Sequence, residues 1–160
     1  MTPDETGPSG EEVAALKWAF RELDCAVTDL NEESFEISHK EYPIATHVYP
    51  TVYFLQFSTV LIARPKGFPL RTRTKLYAFL NQANTSAKVG KFTLEGDKPN
   101  SDFGGWMIMA SARFVRGVTG SDWDPSALNN CVKLWLQDIA EFMLLPAPFG
   151  FVTMNREKPR

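Results

Sequence analysis

Two histidines, His39 and His47, are the side chains of this 160-residue chain that ordinarily titrate near neutral pH. Any general acid–base step would start with one of them. Neither stands at a recognisable spacing from a cysteine or a carboxylate. Cys25 and Cys131 are too few for a disulfide scaffold or a cysteine-rich metal site. The spacings H-E-x-x-H, C-x-x-C and G-x-S-x-G are missing, as is a phosphate-cradling glycine loop. Gly104-Gly105 reads as a turn, and Asp97 and Asp102 read as solvated turn residues rather than a catalytic pair. The expectation is a non-catalytic protein with no cofactor and no metal. An enzyme of unrecognised type would need His39 or His47 to meet carboxylates in a pocket.

Charge offers a second kind of chemistry. Seventeen basic and nineteen acidic residues sum to −2, which disfavours a uniformly basic nucleic-acid binder. The layout beneath that sum is uneven. Residues 1–50 hold eleven acids and three bases, and residues 51–160 hold eight acids and fourteen bases. No acid stands between Glu41 and Glu95, where Arg64, Lys66, Arg71, Arg73 and Lys75 accumulate. Cations at a helix start make an anion site, so an acidic polymer or nucleic acid is the alternative ligand. The competing reading has Glu22, Asp24, Glu32, Glu33 and Glu36 neutralise this segment, within the monomer or across a dimer.

The elements that must position these residues follow from periodicity. Residues 1–9 read as a flexible tail. Ser9 and Glu12 form a capping box, and Val13, Leu16, Phe20 and Leu23 share one face of a helix over 10–25. Strands are expected at Ser34–Ser38, Ile44–Val48 and Thr51–Ala63, the last with Tyr53, Leu55, Phe57 and Leu61 on one face and Phe54, Gln56, Ser58, Val60 and Ile62 on the other. Gly67-Phe68-Pro69 opens a second helix running to Ser86, with Leu76, Phe79, Leu80 and Ala83 inward. Strands Lys91–Glu95 and Trp106–Val115 follow, joined by a long, exposed tip. Asp122 or Asp124 caps a third helix, with Pro125 near its first turn. The order α-β-β-β-α-β-β-α predicts an α+β fold, an antiparallel sheet with helices packed on one face, forming one domain over 10–151 before a tail at 152–160. A signal peptide is not evident, and the longest apolar run, Val52–Ala63, is too short to span a bilayer. The expected location is the cytoplasm, with no membrane partner and with reduced thiols.

Two surface features could carry a partner, and two further features read as structural. Trp18 falls on the polar face of the first helix, where a large aromatic anchors interfaces. Met107 and Met109 alternate with inward Trp106, Ile108 and Ala110, and with Phe54 they make a partly apolar outer sheet face suited to varied partners. The apolar tail containing Leu144, Leu145, Phe149 and Phe151 must pack somewhere. Asn81 and Asn84, at the end of the second helix, read as structural amides.

The run Lys75-Leu76-Tyr77-Ala78-Phe79-Leu80-Asn81-Gln82-Ala83-Asn84, followed by Gly90-Lys91-Phe92-Thr93-Leu94-Glu95, resembles the YbjN-like family of bacterial proteins described as sensory transduction regulators. The element order is also similar to the type III secretion chaperone-like fold. The resemblance implies that Asn81 and Asn84 are the family's helix-end asparagines, and that the sheet and second helix build a homodimer binding a protein or peptide partner. It brings no catalytic residues.

Overall fold

Ser9 starts the first helix as its spacing to Glu12 predicts: the Ser9 hydroxyl oxygen accepts the Glu12 amide at 3.2 Å, and α1 spans Gly10–Glu22. The computed structural model describes residues 9–65, 72–115, 125–144 and 151–155. After α1 come β1 (Cys25–Asp29), β2 (Phe35–His39), β3 (Thr46–Pro50), β4 (Phe54–Pro65), α2 (Thr72–Ser86), β5 (Lys91–Asn100), β6 (Gly105–Val115), α3 (Pro125–Leu144) and β7 (Phe151–Asn155). This is the expected α+β fold, with β1 and β7 as further strands. The strand order is β1-β2-β3-β4-β6-β5, and β7 pairs with β4 off that path. Antiparallel pairing joins β1 to β2, β2 to β3, β3 to β4, β4 to β7 and β5 to β6. No helix among the described residues is long and apolar enough to cross a membrane.

The chain divides into two compact units, residues 1–58 with 112–133 and residues 59–111 with 134–160. In the first, Phe20 meets Phe35 at 5.7 Å and Phe57 at 6.0 Å between ring centroids, and Phe57 meets Phe114 at 5.2 Å. Val13, Leu16 and Val48 of the same unit are buried as well. In the second, Phe142 stacks on Phe92 at 4.2 Å and approaches Phe79 at 4.8 Å. Phe79 also stacks on Phe151 at 6.5 Å, so Phe151 of β7 is packed here, whereas Leu144, expected to be covered, is 78% exposed at the end of α3. Leu145 and Phe149 lie outside the described residues, as do the tails 1–8 and 156–160, Gly67-Phe68-Pro69, Asp122 and Asp124.

Three local expectations change. The first helix stops at Glu22 rather than 25, because Asp24 takes the left-handed conformation (φ 63°) and turns the chain into β1. Tyr53, expected inward, is 66% exposed. It sits in a turn where the Thr51 hydroxyl oxygen accepts the Tyr53 and Phe54 amides at 3.2 and 2.9 Å. Ile62, expected on the outer face, is buried beside Leu61 and Ala63 where β7 joins β4.

The hairpin tip differs too. Pairing resumes at Asn100 and Gly105, leaving a four-residue turn over 101–104. Asn100 Oδ1 accepts the Asp102 and Phe103 amides at 2.9 and 3.3 Å. Gly104 supplies the positive φ (66°) that closes the turn.

Candidate partner-binding surface

Strict alternation builds the outer side of β6. Trp106, Ile108, Ala110 and Ala112 are buried, while Met107, Met109 and Ser111 are half-exposed. In the first unit, outward Phe54 on β4 is covered by Arg113 of β6, whose guanidinium lies 4.5 Å from the ring centroid. Arg113 Nε also donates to Gln56 Oε1 at 3.3 Å. A cation over an aromatic face at this range is attracted by the ring quadrupole. Trp18, also of the first unit, stands 62% exposed on α1, with Glu11, Ala14, Ala15 and Glu22 exposed around it in sequence. Met107 and Met109 belong to the second unit.

Two cations of the basic segment, Arg64 and Arg73, have partners of their own. Arg64 donates through Nε and Nη2 to the Phe103 carbonyl at 2.9 and 2.6 Å, holding the hairpin turn. Arg73 lies 3.8 Å from Asp97 and 6.0 Å from the Tyr77 ring. Lys75 is exposed, and Lys66 and Arg71 lie outside the described residues. Asp97, the acid beside Arg73, belongs to β5 rather than to the acidic first third. Within that third, Lys17 meets Asp29 at 2.7 Å; the hydrogen bond and charge of Lys17 hold the Asp29 carboxyl below its usual range.

The histidines gain neighbours that linear spacing concealed. The register sets Glu36 opposite His47 and His47 opposite Ser58, an acid–imidazole–hydroxyl row across three strands. No hydrogen bond among the described residues joins the three. His39 is opposite Cys25, and its Nδ1 accepts the Glu41 amide at 3.1 Å. Burial, with a smaller push from Asp24, raises the Cys25 thiol to about 11, and burial raises Cys131 to about 11. Both are therefore protonated at neutral pH and lack the thiolate a nucleophile needs. No group of three metal-ligating side chains occurs among the described residues.

YbjN of E. coli, a proposed transcription regulator, matches with a TM-score of 0.64 and 12% identity, covering 91% of this chain and 96% of that one. The fold is YbjN-like. At 12% identity the likeness shows fold alone. MSL1 of Arabidopsis thaliana reaches a TM-score of 0.38 at 8% identity, over 92% of this chain and 61% of that one, and carries no argument. No family model matches the chain, and no curated protein does.

Within the YbjN-like fold the helix-end asparagines divide their work. Asn84 Nδ2 donates to the Phe92 carbonyl at 2.9 Å, and its Oδ1 accepts the Phe92 amide at 2.8 Å. One side chain thus imitates a strand partner and ties α2 to β5. Asn81 is exposed, and its backbone carbonyl accepts the Thr85 hydroxyl at 2.8 Å. We expect Asn84→Ala to cost about 1–2 kcal/mol by removing both bonds, measured by denaturant unfolding. Asn84→Asp keeps the acceptor but sets a carboxylate against the Phe92 carbonyl, so it should not rescue.

Asp138 is the group the sequence concealed most. It is 2% exposed; Oδ1 accepts the Lys88 amide at 3.0 Å, and Oδ2 accepts the Val89 and Gly90 amides at 2.7 Å each. The loop before β5 folds around this carboxylate. An acid among the buried apolar residues of α3, beside Trp135 and Ile139, is the available signal.

Proposed function

We propose that this chain is a bacterial, cytoplasmic, non-catalytic member of the YbjN-like family. It acts as a regulatory or chaperone-like module that forms a homodimer and binds segments of other proteins. The observation that carries this reading is the outward row Met107 and Met109 on β6, half-exposed beside a fully packed inner face. Exposed Trp18 and the Arg113-covered Phe54 add anchors of the types enriched at interfaces. The YbjN-like fold supports the regulatory class, since YbjN of E. coli is described as a proposed transcription regulator.

The test is substitution at those anchors, with binding and folding read in parallel. Trp18→Glu and Met107→Asp are each expected to weaken self-association or partner retrieval at least tenfold, with the melting temperature little changed. Unaltered association in both variants would remove these residues from the interface.

A further inference from the structure

The strand order has two ends, β1 and β5, and they are built differently. β5 carries Lys98 and Pro99, a left-handed Gly96, and a register irregularity between Glu95 and Asn100. These devices discourage a stray strand from pairing. β1, with the sequence Cys25-Ala26-Val27-Thr28-Asp29, has none of them. Its hydrogen bonds reveal what it offers. The Asp24 carbonyl accepts the Lys40 amide at 3.0 Å, and the Leu30 amide donates to the Ser34 carbonyl at 3.4 Å. In an antiparallel pair bonded residues alternate, so the even-numbered residues of β1 bond to β2. Cys25, Val27 and Asp29 therefore aim their N–H and C=O groups away from it. Asn31 Oδ1 steadies the adjoining loop by accepting the Glu33 and Ser34 amides at 2.8 and 2.9 Å.

Charge selects the occupant. Asp24, Asp29, Glu32 and Glu33 are exposed around this edge. Lys17, Arg21 and Lys40 are the three bases against the eleven acids of residues 1–50, and Lys17 is bridged to Asp29. A second copy of the chain would bring the same acidic edge against itself. We propose that the open edge of β1 docks an extended, lysine- or arginine-bearing segment of a partner protein, added as a further strand. The site uses the backbone of β1 and none of Trp18, Phe54, Met107 or Met109, so it stands or falls separately from the outer-face reading.

The test uses the full chain and two fluorescent peptides, one alternating lysine with valine and one alternating glutamate with valine. The lysine peptide is expected to bind, more weakly as salt rises, and the glutamate peptide is not. Methylating alternate backbone amides of the lysine peptide should abolish binding to the unaltered protein. Val27→Pro deletes an N–H that faces away from β2, which an edge strand tolerates, and should weaken binding at least tenfold. Glu32→Lys with Glu33→Lys should weaken it about fivefold and flatten its salt dependence. Equal binding of both peptides, indifference to amide methylation, absence of lysine-peptide binding, or a Val27-dependent self-association in its place would each overturn the proposal.

Discussion

Asp138→Ala should be the most damaging single truncation of a polar side chain among the described residues, at about 3–4 kcal/mol. The carboxylate is buried and accepts three backbone amides, those of Lys88, Val89 and Gly90. Bonds to a charged acceptor contribute about 1.5–3 kcal/mol each, and a buried donor left without a partner costs about 1–3 kcal/mol. Water entering the vacated space offsets part of that sum. The loop leads directly into β5, whose Phe92 stacks on Phe142 of α3, so its loosening reaches the second unit's core. For a chain of this size the loss corresponds to a melting temperature lower by roughly 10 °C. Asp138→Asn retains one acceptor oxygen but turns an NH2 group toward amide donors, so it should fall about midway. Glu141→Ala, one turn on and exposed, is the control and should stay within about 0.5 kcal/mol. A thermal melt of Asp138→Ala that overlays the unaltered protein would contradict this account of the loop.

Gly105→Ala should come second. A Cβ at this position would stand 2.7 Å from the Ala63 carbonyl oxygen, 2.7 Å from Ile62 Cγ2 and 2.9 Å from Arg64 Cγ. One of the two nearest, the Ala63 oxygen, is backbone and cannot swing aside. The expected cost is about 2–3 kcal/mol, the range for added volume in a packed site. Gly10 provides the contrast, since its Cβ would meet nothing within 4 Å. Gly10→Ala should be neutral or stabilising by up to about 1 kcal/mol, because alanine is the better helix former. Equal melting temperatures for the two glycine variants would show that β4 yields at Gly105.

How much of this was legible in the chain depended on the range of the interaction. Ser9 and Glu12 lie three residues apart, and their cap is local. The alternation along β6 and the inward stripe Leu76, Phe79, Leu80 and Ala83 of α2 needed only a period and a burial preference. β1 escaped because the turn before it rests on Asp24, a lone non-glycine residue at positive φ, a weaker turn signal than glycine would be. The Glu36–His47–Ser58 row escaped for another reason: three strands must be in register before those residues become neighbours. Asp138 and the 88–90 loop are about fifty residues apart, and no periodicity links a helix carboxylate to distant amides. The same holds for Arg64, whose charge suggested a ligand and whose guanidinium is used on the Phe103 carbonyl.

We propose that the outward residues of this YbjN-like fold mediate protein association, beginning with a second copy of the chain. Light scattering in line with size exclusion, on the unaltered protein and on Met107→Asp at micromolar concentration, tests it most directly. The predicted result is twice the 18.0 kDa chain mass for the unaltered protein and a shift toward 18.0 kDa for the variant. A mass of 18.0 kDa for the unaltered protein across the whole concentration range would contradict it.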